Sequence, residues 1–456
     1  MARGFQQRLE SLIDHYTAFC LALALLILAM IGVGDVRVAG MTGILLCALG
    51  ITRGVARVDL RILFPLIIYD LAAMAASYAS YGNIVDGYGT MHVLFPVIYL
   101  LMGCLCRDEL RLLKRFCILV AGGIAAAGIG RFIFQAVIWG RTGRMSGLLG
   151  NANAMGIYSV VGWFAVVWCT EEDEECELRE LLLRLEPVFL IALALTLSMG
   201  SCLSLAVGIA VLLTGKRRKV SWHETFQYAC RLFSRIVLGM GTGILIYLAA
   251  ARTSVPWVCL FLFAYGIAAA VCWKTFGHFL EVYPRMAFLI SALGLAVAAA
   301  AVVLRPSAIA TFTERLEMMR SGLSYLTVDP LFGVGPLKWR MLDLSDGGKY
   351  FNTWHIHNIP IHIGVEMGWI AMAMVIVAGL RALCKKKAPS LRAGTAAFLF
   401  HNLIDTSFFY LGITAFVLVV TGEPEEGERE IGGMAVKMVF VLFAGVFAYS
   451  LYHTIQ

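Results

Sequence analysis

Charged residues are scarce in this sequence. Asp, Glu, Lys and Arg together account for 15% of its 456 residues, whereas hydrophobic residues account for 60%. A soluble globular protein is about half apolar and about one quarter charged, so this composition excludes a soluble enzyme and a disordered chain. The apolar runs are long and continuous, unlike the alternating segments of a β-barrel. Since a spanning helix needs roughly 20 apolar residues, the sequence predicts an all-α polytopic membrane protein with about 12–14 transmembrane helices.

Motifs built on cysteine are also absent. The 12 cysteines are scattered, mostly within apolar runs, and form no C-x-x-C pair or His-Cys cluster. They therefore predict small buried side chains rather than disulfides or zinc ligands. The net charge of +7 matches the excess of Lys and Arg that cytoplasmic loops carry, so we expect no nucleic-acid partner. No small-residue cleavage motif follows the N-terminal region, and we expect the first span to be retained as an anchor.

The predicted spans are apolar runs separated by basic or polar segments. They lie near residues 16–34, 38–52, 60–80, 91–106, 113–138, 154–170, 188–214, 233–251, 256–273, 286–304, 358–382, 393–421 and 433–453.

Simple alternation of these spans fails at one run. Suppose that the acidic segment Glu171–Glu186 is a polar helix on the cytoplasmic side. A single span at 188–214 would then place the basic residues 216–219 on the outer side, against the usual position of basic loops. We therefore predict that the run turns at the small polar residues Ser198–Ser201 and forms two short helices. The run 393–421 is open to the same interpretation because its centre is also polar.

One long segment interrupts the pattern of short loops. Residues 305–356 lie on the predicted outer side, and a loop of this length is usually functional. Thr311 or Thr313 suits a helix cap, and apolar residues spaced three and four apart predict a helix that ends before Asp329. We predict one membrane domain over residues 1–456, with residues 305–356 as its extracytoplasmic catalytic loop.

Arginines and a histidine gather in the predicted outer segments. Arg315 and Arg320 lie in the long loop, Arg141 and Arg144 lie in a shorter one, and His357 begins the span after the long loop. Arginine binds phosphate through a planar fork, and histidine can take a proton from a hydroxyl near neutral pH. This combination fits group transfer from a phosphate-linked donor. Each arginine could instead contact lipid headgroups, and the histidine could be a helix cap or a packed residue.

Other ionisable residues have simpler interpretations. His355 and His357 are two residues apart and share no ideal helical face with His362, so we expect no metal site. Asp405 follows His401 by four residues, and a hydrogen bond within a helix would explain both without a function.

Three short motifs follow one another along the outer segments. They are Arg144-Met145-Ser146-Gly147 with Asn151-Ala152-Asn153-Ala154, Arg315 with Asp329-Pro330-Leu331-Phe332-Gly333-Val334-Gly335, and His357-Asn358 with Ile361, Glu366 and Gly368. In order and spacing they resemble the O-antigen ligase and O-antigen polymerase family of bacteria. The core of the resemblance covers roughly residues 305–370. One departure is Met199, which stands after Thr196-Leu197-Ser198 where the family commonly has an arginine.

The resemblance implies a fold similar to that of GT-C glycosyltransferases and a metal-independent, inverting glycosyltransferase without a cofactor. The donor would be a glycan on undecaprenyl pyrophosphate, used at the outer face of the bacterial cytoplasmic (inner) membrane. The acceptor would be another glycan, a lipid or a wall polymer, so ligase and polymerase both remain open. The implied catalytic residues are His357 as base with Arg315 and Arg320 on the pyrophosphate, and the implied substrate-binding residues are Arg144, Arg141, Asn358, Glu366, Gly333 and Gly335.

Two other classes of protein remain open at this point. A transporter or flippase of lipid-linked saccharides would predict inverted repeats with matching broken helices, and no such pairing is visible in the sequence. A purely structural membrane protein would not need arginines and a histidine gathered in one outer loop.

Overall fold

The computed structural model describes residues 15–171, 178–252, 260, 264–268, 271–303, 306–422 and 428–456. Helices dominate this part of the chain. They are α1 (Tyr16–Met30), α2 (Val36–Thr52), α3 (Leu60–Tyr81), α4 (Gly89–His92), α5 (Leu94–Gly103), α6 (Arg107–Trp139), α7 (Ala152–Glu171), α8 (Arg179–Leu183), α9 (Leu185–Thr196), α10 (Met199–Arg217), α11 (Trp222–Arg252), α12 (Trp273–Val282), α13 (Pro284–Val303), α14 (Pro306–Tyr325), α15 (Trp339–Ser345), α16 (Ile359–Cys384), α17 (Pro389–His401), α18 (Leu411–Thr421) and α19 (Gly433–Ile455).

Two short strands are paired within this helical fold. β1 (Ala56–Val58) and β2 (Arg429–Ile431) are antiparallel, with Ala56 opposite Ile431. The strands join the segment before α3 to the segment before α19.

Several of the helices match the length of a bilayer. In the part of the chain that the structure describes, 7 helices are long and apolar enough to cross a membrane: α3, α6, α7, α10, α11, α16 and α19. Shorter apolar helices lie at α1, α2, α4–α5 and α18. The all-α prediction is therefore confirmed, together with helices of spanning length. The number of about 12–14 spans, their orientation and the likeness to GT-C enzymes stay predictions.

The chain divides into two compact units that alternate along the sequence. The first comprises Met1–Cys117, Arg315–Lys386 and Asn402–Gln456, and the second comprises Ile118–Glu314 and Lys387–His401. Neither unit is one continuous stretch of chain. The prediction of one membrane domain over residues 1–456 stays a prediction.

Both apolar runs with polar centres divide into two helices, and the first break lies just before the predicted turn, since Met199–Ser201 already belong to α10. The run 188–214 divides into α9 and α10 at Leu197, which has a left-handed backbone with φ of 51°. Ser198 then caps α10, because its side chain accepts a hydrogen bond from the backbone N–H of Ser201. The run 393–421 divides into α17 and α18, which are separated by a short 3-10 turn at Ser407–Phe409.

The long loop contains more helix than its sequence predicts. α14 begins at Pro306, so Thr311 and Thr313 lie inside the helix and the prediction that either caps it is wrong. Proline suits the first helical turn, where its missing N–H leaves no hydrogen bond unmade. α14 ends at Tyr325, before Asp329 as predicted. In the acidic segment Glu171–Glu186, residues 172–177 lie outside the described residues.

Helix α16 packs along α3 in the first unit. The glycine-rich segment described below precedes α16 in the chain and packs against it. Asp59 caps α3 by accepting from the backbone N–H of Arg61 and also accepts from Nε of Arg381 at 2.6 Å. Burial of Asp59 favours its neutral form, but the hydrogen bonds from Arg61 and Arg381 outweigh it and lower the pKa of the carboxyl. The ion pair thus fastens one end of α16 to the start of α3.

Close packing of α18 against α1 predicts a strong effect of a single methyl group. A Cβ atom at Gly412 would lie 2.4 Å from the Cα atom of Ala29, so backbone would have to move. We expect Gly412→Ala to lower the free energy of unfolding by about 1–3 kcal/mol. The measurement is the midpoint of thermal unfolding of the purified protein in detergent.

Gly445 provides the matched control for this substitution. It also lies in an apolar helix, α19, but no atom lies within 4 Å of a Cβ built there. Gly445→Ala should therefore leave the midpoint unchanged or raise it slightly. Equal effects of the two substitutions would contradict the packing argument.

Candidate active site

The start of α16 is fixed by Asn358. Its side-chain oxygen accepts from the backbone N–H of Ile361 at 3.1 Å, and its side-chain amide donates to the carbonyl of Leu403 at 3.0 Å. The backbone N–H of Ile359 donates to the carbonyl of Asn402 at 2.8 Å. The His-Asn motif therefore lies against the segment that follows α17, which brings His357 close to Asp405.

Arg315 and His357 meet at the carboxylate of Asp405. Nη2 of Arg315 lies 2.9 Å from Oδ2 of Asp405, and Nδ1 of His357 lies 3.7 Å from the same oxygen. The three side chains are 15%, 6% and 18% exposed for Arg315, Asp405 and His357, so the group lies just below the surface. The sequence resemblance selected two of these residues, and the structure brings both to one acidic group.

The geometry around Asp405 favours one form of the His357 ring. The separation of 3.7 Å is too long for a hydrogen bond, and Nδ1 has no hydrogen-bond partner among the described residues. A carboxylate on this side favours the tautomer with a proton on Nδ1, which leaves the lone pair on Nε2 free to accept a proton. Nδ1 is thus the ring nitrogen nearer Asp405, and Nε2 is the one farther from it.

Arg315 is already occupied in part. Besides Asp405, it donates from Nη1 to the carbonyl of Ile404 at 2.6 Å. A guanidinium has further N–H donors beyond these two, and they can still bind an anion. The ion pair also neutralises much of its charge, so Arg315 stabilises Asp405 at least as directly as it could bind a phosphate.

Arg320 is placed differently from Arg315. It lies on the same helix, α14, and its side chain is exposed. It makes no hydrogen bond or ion pair with any residue that the structure describes. The structure therefore does not join Arg320 to the group at Asp405, and its charge stays available to a ligand.

Glu366 supports the glycine-rich segment of the loop. Its carboxylate is fully buried and accepts from the backbone N–H groups of Leu337 at 2.8 Å and Trp339 at 3.3 Å. Its backbone carbonyl accepts from Gly335 at 3.2 Å. The contacts give Glu366 a structural task, which is to hold the start of α15 against α16. Its predicted role in substrate binding stays a prediction.

Two positions of the motifs, Gly333 and Gly368, require glycine because other backbone atoms approach them closely. Gly333 has φ of +69°, and a Cβ there would lie 2.4 Å from the backbone carbon of Glu366. Gly368 interrupts α16 with φ of +85°, and a Cβ there would lie 2.1 Å from the carbonyl oxygen of Leu331. Only glycine adopts such conformations without strain. The spacing of both motifs thus reflects one loop packed on one helix break.

His355 lies in an aromatic cluster beside this loop. Its Nδ1 atom is 3.3 Å from the hydroxyl of Tyr88, and its ring centre is 4.9 Å from that of Phe409. Burial, together with the neighbouring His357, lowers the pKa of His355 to about 4. His355 is therefore neutral at physiological pH and serves packing.

A second polar group lies in the second unit. Arg144 donates from Nε to the carbonyl of Thr196 at 2.9 Å and from Nη2 to the side-chain oxygen of Asn153 at 2.5 Å. Ser198 donates to the same oxygen of Asn153 at 3.0 Å. The exposed Arg144 thus lies at the turn between α9 and α10, beside Met199.

Arg141 is not part of that group. Its guanidinium carbon lies 6.0 Å from the ring centre of Trp139, and the side chain is exposed.

Asp405 is the residue that sequence reasoning misjudged. α17 ends at His401, so a hydrogen bond between His401 and Asp405 within one helix is excluded and that explanation is wrong. Nε2 of His401 lies 3.3 Å from Oγ of Ser201, and Asp405 pairs with Arg315. The sequence did contain a signal for this pairing. A carboxylate within an apolar run is costly, so Asp405 was expected to need a cationic partner from elsewhere in the chain.

The described residues contain no group of three or more His, Cys, Asp or Glu side chains that could hold a metal ion. No protein-family model matches the chain, and no curated protein matches it.

The hydrogen bonds accepted by the Glu366 carboxylate predict that its removal lowers the stability of the fold. Glu366→Leu removes the acceptor of the N–H groups of Leu337 and Trp339 and leaves that of the fully buried Trp339 unsatisfied, at a cost of about 1–3 kcal/mol. Glu366→Gln keeps one acceptor oxygen and should lose less. Thermal unfolding in detergent measures both, and Glu317→Leu, at an exposed surface ion pair, should change little. Equal midpoints for Glu366→Leu and wild type would show that Glu366 does not hold the start of α15 against α16.

The buried imidazole of His355 predicts a dependence of stability on pH. Its pKa is about 4 in the folded chain and 6.5 by ordinary reference, so the unfolded chain binds more protons between these values. Stability should therefore be complete above pH 6.5 and fall as the pH drops towards 4. His355→Phe should flatten this part of the curve of unfolding midpoint against pH. An unchanged slope would show that other groups cause it.

Proposed function

We propose that the chain is a membrane glycosyltransferase that transfers or polymerises a glycan from an undecaprenyl-pyrophosphate donor. The observation that carries the proposal is the convergence of Arg315 and His357 on Asp405, at distances of 2.9 and 3.7 Å. These residues come from separate parts of the chain, and two of them belong to motifs that resemble one glycan-transferring family. The polytopic helical fold supports a lipid-linked substrate.

His357 is the general base in this proposal. Its Nε2 atom takes the proton from an acceptor hydroxyl while that oxygen attacks the anomeric carbon of the donor sugar. The bond between this carbon and the pyrophosphate breaks, and undecaprenyl pyrophosphate leaves with the bonding electrons. Attack opposite the leaving group inverts the anomeric centre. The negative charge of Asp405, 3.7 Å from Nδ1, stabilises the imidazolium that forms.

The arginines act on the leaving group. Negative charge grows on the pyrophosphate as the bond breaks, and fixed guanidinium groups stabilise it. In the first unit Arg320 has no partner among the described residues, and Arg315 contributes the donors that Asp405 and Ile404 leave free. The role in substrate binding that the resemblance implies for Arg144, in the second unit, stays a separate prediction.

The finer statements about fold and location belong to the same proposal. A transferase of this kind would have a fold similar to GT-C enzymes, lie in the bacterial cytoplasmic membrane and face the outer side with residues 305–356. It would need no metal and no cofactor, because the arginines supply the positive charge.

Reconstitution tests the proposal. The purified chain is placed in liposomes with undecaprenyl pyrophosphate that carries a defined oligosaccharide, in the presence of EDTA, and products are analysed by gel and mass spectrometry. A ladder of longer lipid-linked glycans would indicate a polymerase, and a single shift of an added acceptor would indicate a ligase. Movement of the lipid across the bilayer without any new product would contradict the proposal in favour of a flippase.

Variants of the three converging residues sharpen this test. His357→Ala should abolish transfer, and Asp405→Asn should reduce it strongly because the imidazolium loses its carboxylate. Arg315→Lys should lose most activity, since an ammonium group cannot donate to Asp405 and an anion with the same planar geometry. His278→Ala, at a side chain that is 77% exposed in the second unit, is the control. Normal transfer by His357→Ala, at equal amounts of folded protein, would remove His357 from the mechanism.

A further inference from the structure

Two aromatic side chains of the loop hold an arginine at the surface. The guanidinium carbon of Arg340 lies 4.6 Å from the ring centre of Tyr350 and 4.6 Å from that of Trp354. Both distances are within the range of a cation–π interaction. We call these three residues the Tyr-Trp-Arg clamp.

The clamp differs from the buried part of the same loop. Trp339 and Phe351 are 0% and 2% exposed and stack at 5.7 Å in a core with Ile356. The rings of the clamp face outward, since Tyr350 is 61% and Trp354 is 48% exposed, and neither belongs to this core. The rings of the clamp are additional, and packing does not explain them.

No carboxylate accounts for the position of Arg340. It forms no ion pair with any residue of the described ranges, and its buried Nε atom has no hydrogen-bond partner there. The two rings are what hold the guanidinium in place. A planar cation with N–H donors beside exposed ring faces can bind a ligand that is apolar on one side and rich in oxygen at its rim.

A sugar ring has this chemistry. The axial C–H groups of a pyranose form an apolar face that stacks on an aromatic ring, and its hydroxyl or carboxylate oxygens accept hydrogen bonds from a guanidinium. We propose that the Tyr-Trp-Arg clamp is a saccharide-binding subsite that holds the glycan whose hydroxyl reacts. This inference rests on the proposed function and names a part of its substrate site.

The position of the clamp supports this assignment. Trp354 precedes His357 by three residues, so their Cα atoms are at most about 11 Å apart. That is a distance that one or two sugar units bridge. A ring stacked on Trp354 therefore belongs to the same glycan as the hydroxyl that approaches His357, whereas the arginines engage the pyrophosphate of the donor.

Competition experiments separate glycan contacts from lipid contacts. The inhibitors are the acceptor oligosaccharide freed from its lipid carrier, which is the repeat unit itself if one lipid-linked glycan is added to another, and undecaprenyl pyrophosphate without glycan. In liposomes, Trp354→Ala should weaken inhibition by the free oligosaccharide about tenfold, comparable with the loss of one stacking contact between a base and an aromatic side chain. Inhibition by undecaprenyl pyrophosphate should stay unchanged. Trp354→Phe keeps a ring and should restore most of the oligosaccharide inhibition.

Controls exclude a general effect of removing a surface tryptophan. Trp222 is 68% exposed in the second unit. Trp222→Ala should be inhibited by the oligosaccharide, and should transfer glycan, to the same extent as wild type. Arg340→Lys keeps the charge but loses the fork and should weaken oligosaccharide inhibition as well. Equal inhibition of wild type and Trp354→Ala by the oligosaccharide would overturn the proposal.

A direct binding measurement distinguishes this inference from the proposed function. Binding of the free oligosaccharide to the protein in nanodiscs is followed by saturation-transfer NMR for wild type and Trp354→Ala. Binding that Trp354→Ala loses supports the subsite even if wild type transfers no glycan, in which case only the proposed function fails. Aromatic residues also contact lipid headgroups at membrane interfaces. No binding by wild type, with quenching by brominated lipid that is stronger in wild type than in Trp354→Phe, would assign the clamp to the membrane and overturn the proposal.

Discussion

The first unit depends on the neutralisation of one carboxylate. Asp405 is 6% exposed between two apolar helices, where an unpaired charge would be very costly. Its ion pair with Arg315 joins residues 90 positions apart and fastens the middle of α14 to the segment after α17. The same segment receives the start of α16 through Asn358, so His357 reaches the carboxylate as a consequence. The ion pair that stabilises this part of the fold therefore also places the residue that we propose as the base.

The loop owes its form to a second buried carboxylate. Glu366 accepts the backbone N–H groups of Leu337 and Trp339, and the helix break at Gly368 leaves room for the carbonyl of Leu331. Hydrogen bonds of this kind leave the loop few alternative conformations. The proposed transfer would benefit from such rigidity, because groups that are fixed in advance need not reorganise as charge develops.

Local patterns in the sequence predicted local events well. The break at Ser198 follows from small polar residues within an apolar run, and the end of α14 before Asp329 follows from the proline after it. The predicted start of α14 was wrong, because a proline in the first turn of a helix is a weaker sequence signal than a threonine cap. The partner of Asp405 was out of reach, since the pairing of distant residues depends on tertiary packing and His401, four residues away, offered a nearer explanation.

The alternation of the two units along the chain sets an order of events during synthesis. The chain leaves the first unit at Cys117, returns to it at Arg315, leaves again after Lys386 and comes back at Asn402. Arg315 and His357 are therefore made well before the carboxylate that holds them. A nascent chain that stops short of Asp405 contains both residues of the candidate site but lacks their common anchor. Completion of the candidate site thus waits for the synthesis of Asp405.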